Sequence, residues 1–326
     1  MQTKLKILFP DWKNFGVEDI KEAFEKMGHE VIIYKTEPKN YRIDPRFKSE
    51  LKKYIRSNGI TLMFTSNYFP VVADACHEVN IPYISWCYDS PLVLTFSKTV
   101  FYPTNFIFIF DSKMVADLQN LGVKQVFYMP MAVNPDRLNK LHTTSEQRKL
   151  IDADISFVGS LYSEKHTLYD RMTDLDDYTK GYIDGVMKAQ EQLYGVSIVE
   201  DALTPEIIDA MYQKMPINIH EDDLETKSYV YANYFINRKI TQTERPILLK
   251  EISEALSQME AQVGRKLKPL KLYTHNPTPF LPKVENMGTI HYMKEMPLVF
   301  RHSKINLNIT LRSIINGIPL RAIDIM

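Results

Sequence analysis

Leu5-Lys6-Ile7-Leu8-Phe9-Pro10, then Asp11-Trp12-Lys13-Asn14-Phe15-Gly16, then Val17, Ile20, Phe24 and Met27 with Gly28 behind them, is the stretch that decides the fold. The first run is apolar and of strand length. The four apolar residues after Gly16 recur at helical spacing, and Gly28 stops the helix. A strand, a short turn and a helix in immediate succession make half of a βαβ unit.

The pattern then repeats. Strands are predicted at Val31–Tyr34, Ile60–Phe64, Pro82–Cys87, Phe106–Phe110 and Val126–Met129. Helices are predicted at Phe47–Arg56, Val71–Val79 and Met114–Leu121. The strands are continuously apolar rather than alternating, which marks a parallel sheet covered on both faces. Ligands bind such sheets beyond the carboxyl ends of the strands. The residues placed there are Asp11, Asn14, Asn67, Asp89, Asp111 and Asn134.

Asn134–Arg148 is polar and lacks apolar periodicity, so a domain boundary is expected near residues 134–153. The second half starts as the first does, with a strand at Ile155–Val158 running into Gly159-Ser160. Its next strand is delayed. Helical patterns fill the interval at Tyr182–Leu193, Pro205–Lys214, Leu224–Phe235 and Pro246–Ala261, and strands resume at Lys271–Thr274, Thr289–Tyr292 and Ile305–Ile309. A last helix is predicted to start near Pro319. The reading is an α/β chain of two Rossmann-like parallel-sheet domains: 1–140, and 150–326 with a helical insertion at about 163–265.

Composition limits the functions open to such a chain. Two domains suit 326 residues, and 40 basic against 40 acidic side chains leave no net charge to attract nucleic acid or an anionic membrane. Two cysteines, Cys76 and Cys87, are too few for a disulfide framework. The start of the chain is polar and basic, and no apolar run is long enough to span a bilayer, so the cytoplasm is the expected compartment. Gly-x-Gly, a Walker loop and Gly-x-Ser-x-Gly are all missing, and no two histidines stand three to five residues apart. Asp152-Ala153-Asp154 and Asp174-Leu175-Asp176 match the metal-holding Asp-x-Asp pattern, but neither follows a strand, and both read as surface pairs. Neither a metal nor a cofactor is expected.

The sharpest signal lies at Asn316-Gly317-Ile318-Pro319-Leu320-Arg321-Ala322-Ile323-Asp324, where a loop runs into a helix after a strand. This stretch resembles the Glu-x₇-Glu donor motif of GT-B glycosyltransferases, specifically the group-1-like domain of the CgeB-type spore-maturation family. Phe157-Val158-Gly159-Ser160 resembles the opening strand and loop of that domain, and Tyr83–Pro91 and Phe108–Asp111 resemble the N-terminal half of the same proteins. The resemblance implies the GT-B arrangement and metal-independent transfer from a nucleotide sugar to a glycan, protein or small-molecule acceptor. Asp324 matches the acidic position that holds the ribose hydroxyls, and Gly159 the glycine that lets the diphosphate approach the backbone. Asn316 stands where many relatives carry the first Glu. The resemblance also implies that the donor half runs on past Met326, so the donor pocket is expected to be incomplete in this chain.

Candidate roles follow. Gly159, Ser160, Lys165, Arg312, Asn316, Gly317, Arg321 and Asp324 are the donor-side residues. Asp89 is the first candidate for the base that takes the acceptor proton, because it directly follows a buried strand and is flanked by Trp86 and Tyr88. Asp11 is the second. Asn14, Asn67, Trp86 and Tyr88 are the acceptor-side residues, and Asp89 and Asp324 are expected to face each other from different halves. A two-lobed small-molecule binding protein and a catalytically silent scaffold are the competing readings, the latter on account of Asn316.

Overall fold

The computed structural model describes residues 4–12, 14, 16–163, 167–220 and 223–326. They divide into two compact units. The first holds the chain up to Val133 together with Asn218–Lys227 and Ile314–Leu320, and the second holds Asn134–Ile217, Ser228–Ser313 and Arg321–Met326.

In the first unit β1 (Lys6–Pro10), β2 (Glu30–Tyr34), β3 (Leu62–Ser66), β4 (Tyr83–Cys87), β5 (Asn105–Ile109) and β6 (Val126–Tyr128) form an all-parallel sheet in the order β2-β1-β3-β4-β5-β6. Helices α1 (Val17–Lys26), α2 (Pro45–Ser57), α3 (Pro70–Val79) and α4 (Ser112–Asn120) make the crossovers. From β4 to β5 the chain instead uses a cis Ser90–Pro91 peptide and two short 3₁₀ turns, Val93–Phe96 and Lys98–Phe101. The apolar spacing in α1 has its counterpart on the sheet: Val17, Ile20 and Phe24 pack on Ile7, Phe9, Leu62 and Phe64. Each such side chain taken fully out of water is worth about 1.5–3 kcal/mol. Helix α2 starts where Asp44 accepts a hydrogen bond from the N–H of Phe47, with Pro45 in the first turn. Cys76 and Cys87 are buried thiols.

The strand order reverses between β1 and β3, because β1 leads outward to β2 and the chain returns on the far side. That switch point is where a parallel sheet opens a ligand crevice. Asp11 and Asn14 follow β1 there, and Asn67 follows β3.

Two later segments complete this unit. In residues 218–227 the N–H of Leu224 bonds the carbonyl of Phe96 at 2.6 Å, and Arg42 holds Asp223 at 2.5 Å and Glu225 at 2.7 Å. Residues 314–320 pair with the exit of β5 through a bridge between Gly317 and Asp111. Gly317 is required at that point for space: a Cβ there would stand 2.7 Å from the Phe110 ring and 3.2 Å from the Cα of Asp111.

The second unit opens with two short helices, α5 (Pro135–Asn139) and α6 (Ser145–Ile151). Its sheet is also all-parallel, with β7 (Ala153–Val158), β8 (Leu270–Tyr273), β9 (Val284–Asn286) and β10 (Ser303–Leu307) in the order β10-β7-β8-β9. Between β7 and β8 the described residues form helices and turns, apart from a single bridge between Asp223 and Ser97. The helices are α7 (Asp177–Glu191), α8 (Val199–Ala202), α9 (Pro205–Lys214), α10 (Lys227–Val230) and α11 (Asn237–Val263), with a π-helical turn at Tyr231–Ile236. They carry a core of their own, centred on Ile183, Ile207, Met211, Tyr231 and Phe235. After β9 come α12 (Met296–His302), β10 and α13 (Leu320–Ile325).

Three sequence expectations change here. The strand expected at Thr289–Tyr292 is irregular, and the sheet is continued by β9 instead. Gly288, at φ +76°, turns the chain out of the sheet after the last ladder bond, Met287 N–H to Leu272 C=O at 2.8 Å. Ile290 and Tyr292 still pack against Met296, Val299 and Phe300, which explains their strand-like apolarity. The helix expected from Leu224 begins only at Lys227, because residues 223–225 are held extended by Phe96 and Arg42. The helix expected to start at Pro246 starts at Asn237 and runs through the proline. Ile240, Thr241, Arg245, Leu249 and Ser253 form one buried stripe across it, and that packing outweighs the backbone bond a proline forfeits.

Gly317→Ala should lower stability by about 1–3 kcal/mol through overpacking against the Phe110 ring. The loss should shrink in a Phe110→Leu background, since the two positions then couple. Thermal unfolding of the four proteins checks this, and equal losses in both backgrounds would rule the contact out as the cause.

Candidate functional site

At the carboxyl edge of the first sheet, one cluster joins three strand exits. Asn67 follows β3 and is buried, with a left-handed φ of +71°. Its Nδ2 donates to Oδ2 of Asp89 at 2.7 Å. Its Oδ1 accepts from the backbone N–H of Tyr88 at 3.0 Å and of Asp89 at 3.2 Å. Ser90, next in the chain, donates its hydroxyl to Asp111 at 2.9 Å, after β5. Asp111 is 1% exposed, caps α4 by accepting from the N–H of Lys113, and accepts two further bonds from the N–H groups of Ile315 and Asn316 at 3.1 and 3.2 Å.

Asp89 differs from Asp111 in being solvent-exposed. Protein nonetheless crowds its carboxyl, and this desolvation raises its pKa above the ordinary Asp value, while the bond from Asn67 pulls the other way. A reachable carboxylate with raised proton affinity is what a general base requires. Tyr88, half-buried, is pushed up to about 12, first by burial and then by the charge of Asp89. Near neutrality it is therefore a neutral phenol. Trp86 is half-buried with its indole N–H out of contact with solvent and without a hydrogen-bond partner, as is the Nδ2 of half-buried Asn14. Asp11 is exposed, and its backbone N–H bonds the carbonyl of Tyr34 at 3.0 Å.

In the second sheet the order reverses between β7 and β10. The loops at that switch point are Gly159-Ser160 and Asn308–Thr310, and one side chain that the sequence pattern did not single out ties them together. Arg245, 8% exposed in mid-α11, donates to the carbonyls of Ser160 and Ile309. Its guanidinium lies 4.6 Å from the Tyr162 ring centre and 5.4 Å from that of Phe157. Gly159 leaves room for this: a Cβ there would meet Phe157 at 3.2 Å and Arg245 at 3.7 Å. Ser160 Oγ accepts from the N–H of Tyr162 at 2.9 Å. Nothing near Arg245 in sequence announces it, because the loops it joins are 85 and 64 residues away.

The other donor-side candidates have partners within their own units. Arg312 pairs with Glu244, donates to the carbonyls of Leu193 and Glu191 at the end of α7, and lies 4.1 Å from the Tyr194 ring centre. Asp324 accepts from the Tyr292 hydroxyl at 3.1 Å and stands 3.8 Å from Arg321, which also contacts the sulfur of Met296. Burial raises the pKa of Asp324 and lowers that of Arg321. Asn316 and Gly317 are bound to Asp111 as described. Lys165 lies outside the described residues. Of the two Asp-x-Asp pairs, Asp152 and Asp154 meet Lys268 and Lys304, and Asp176 caps α7. Among the described residues no group of three His, Cys, Asp or Glu side chains is placed to hold a metal, and no helix is long and apolar enough to cross a membrane.

No protein-family model matches the chain, and no curated protein does. Among solved structures it is similar to a glycosyltransferase from Rickettsia africae, at 11% identity and a TM-score of 0.34 over 90% of this chain and 86% of the other. It is similar also to a candidate UDP-N-acetylglucosamine 2-epimerase from Listeria monocytogenes, at 11% identity and a TM-score of 0.34 over 92% and 87%. A third is S. aureus MnaA in complex with UDP, at 11% identity and a TM-score of 0.34 over 87% and 84%.

The raised pKa of Asp89 has a consequence for stability. A carboxyl with pKa raised on folding contributes most below its unfolded value of about 3.9, and that contribution is lost as pH climbs through the folded pKa. Asp89→Asn keeps the shape and cannot ionise, so it should melt higher than the wild type at pH 7. The difference should close as pH falls toward about 4. Thermal melts across that range decide it; a variant that melts lower at pH 7 would mean that the carboxylate is stabilised where it stands.

Proposed function

We propose that this chain is a glycosyltransferase of GT-B type, similar to the CgeB-type spore-maturation proteins, that acts in the cytoplasm on a nucleoside-diphosphate sugar. Asp89 carries the reading. It is the exposed, protein-crowded carboxylate at the edge of a parallel sheet, beside that sheet's switch point, and it is suited to take the proton of an acceptor hydroxyl. Tyr88 flanks it and offers a face on which a sugar ring packs, while Trp86, on the preceding strand, packs against the core around Ile7, Phe9 and Phe64. The second parallel sheet supports a separate donor site. Its switch point has a close-approach glycine, Gly159, and a positively charged side chain, Arg245, as a leaving diphosphate requires. Transfer proceeds without a metal in this reading, because Asp152 and Asp154 are engaged by lysines and Asp176 by the start of α7.

One observation favours a second reading, a glycosyltransferase-like scaffold without activity. Arg312 and Asp324 are each engaged inside their own unit, so a nucleotide that used them would have to displace Glu244 or Tyr292.

Two measurements separate the readings. Calorimetry of the full-length protein with UDP, GDP and dTDP in the presence of EDTA should give binding by one of them, and strictly magnesium-dependent binding would contradict the metal-free assignment. Release of sugar from the matching donor should then fall about 10²–10⁴-fold in Asp89→Asn, with donor affinity little changed. A full-length protein that binds none of the three with or without magnesium, and releases no sugar, is the scaffold.

A further inference from the structure

We propose that Asn67 is a positioning residue for Asp89: from the neighbouring strand it fixes the orientation of that carboxylate and leaves one oxygen, Oδ1, to take the proton. The proposal rests on the reading of Asp89 as the base.

The geometry is specific to asparagine. Asn67 sits at φ +71°, where a side chain is uncommon and where Asn is tolerated better than most. Such strain persists only where the surroundings hold it. Here its N–H bonds the carbonyl of Trp86 at 3.0 Å, and its carbonyl accepts from the Thr65 hydroxyl at 2.6 Å. Thr65 is in turn bonded to the hydroxyl of buried Tyr83 at 2.7 Å, and that hydroxyl also accepts from the N–H of Phe69. With the backbone fixed, the carboxamide works from both ends. Its oxygen gathers the N–H groups of Tyr88 and Asp89, which sets the course of the chain leaving β4. Its nitrogen donates to Oδ2 of Asp89, which occupies one carboxylate oxygen and holds the side chain in one rotamer.

No other residue does all of this. Glycine keeps the backbone conformation and loses all three bonds. Aspartate keeps the two acceptor bonds but sets a second negative charge against Asp89. Glutamine is one methylene too long. Asn67 is also neutral, and the charge of Asp89 acts on Tyr88 and Cys87 on its own strand exit, both raised to about 12 mainly by burial. Asp111 after β5 is bonded to Ser90, the residue after Asp89. Asn67→Gly therefore removes the donor to the Asp89 carboxylate together with the two acceptor bonds, and Asn67→Asp keeps those two bonds and replaces the donor by a charge.

The test needs no substrate. In the wild-type chain the side-chain amide signals of Asn67 should shift with pH at the same midpoint as the ¹³C carboxyl signal of Asp89, the latter assigned by its absence in Asp89→Asn. In Asn67→Gly that carboxyl midpoint should rise by about one pH unit, because the donor to the ionised form is gone. In Asn67→Asp it should rise further and turn biphasic as two carboxylates titrate together. Wild-type amide signals that ignore the titration of Asp89 would overturn the proposal even if both variants failed to fold. So would unmoved midpoints in folded variants. If the chain transfers sugar, the acid limb of its pH–kcat profile should move up in Asn67→Gly by the same interval, with donor KM unchanged. If it transfers none, the function assigned above fails while the titrations still decide the role of Asn67.

Discussion

The carboxylate of Asp111 gathers the first unit. It is buried at the end of β5 and accepts from a helix start at Lys113, from the Ser90 side chain after β4, and from two backbone groups at Ile315 and Asn316. A buried carboxylate without donors would be costly, and this one is supplied from three separate parts of the chain. The arrangement imposes conditions on its neighbours. The segment at 314–317 must lie flat against β5, so position 317 can have no side chain beside the Phe110 ring. Ser90 must point at Asp111, so Asp89 before it is left on the exposed side, where Asn67 takes hold of it.

Residues with similar sequence signatures thus come to opposite ends. Asp89 and Asp111 both follow apolar parallel strands, Asp89 before an irregular turn and Asp111 at the start of α4. Asp111 has its four acceptor bonds and no exposure, and so serves as a joint. Asp89 has one donor to its carboxylate and remains open to solvent. The sequence ranks the two by the aromatic residues around Asp89. The structure ranks them by how many N–H and O–H groups reach each one, which depends on contacts with residues 21 to 205 positions away.

That difference of range also explains how much of the molecule was legible beforehand. The first sheet was read almost residue by residue, because each strand is a short apolar run and each helix has a local stop such as Gly28 or Gly122. Local rules failed where distant packing prevailed. Pro246 looked like a helix start, but the buried stripe through Arg245 and Leu249 carries α11 past it. Ile290 and Tyr292 looked like a strand, but their apolar faces belong to a core with Met296 and Phe300 after Gly288 has turned the chain away. The candidate site divides in the same way. Asp89, Asn67 and Gly159 were readable as residues that follow strands. Arg245 was not, since its role exists only once the exits of β7 and β10 are neighbours.

Arg312 and Asp324 show why a motif's residue types do not by themselves give its chemistry. Both were singled out as charges able to meet a nucleotide, and both have the right character. Arg312 instead closes the end of α7, where carbonyls of the last turn lack intrahelical partners, and Glu244 balances its charge. Asp324 accepts from the hydroxyl of half-buried Tyr292, with Arg321 beside it. A charge spent in this way could meet a ligand only by giving up a partner that holds the fold, so its contribution to binding would be a difference between two similar interactions. Asp89 is under no such constraint. Its single side-chain donor orients it without neutralising it, which makes the first unit, rather than the segment around Asp324, the stronger place to look for the chemistry.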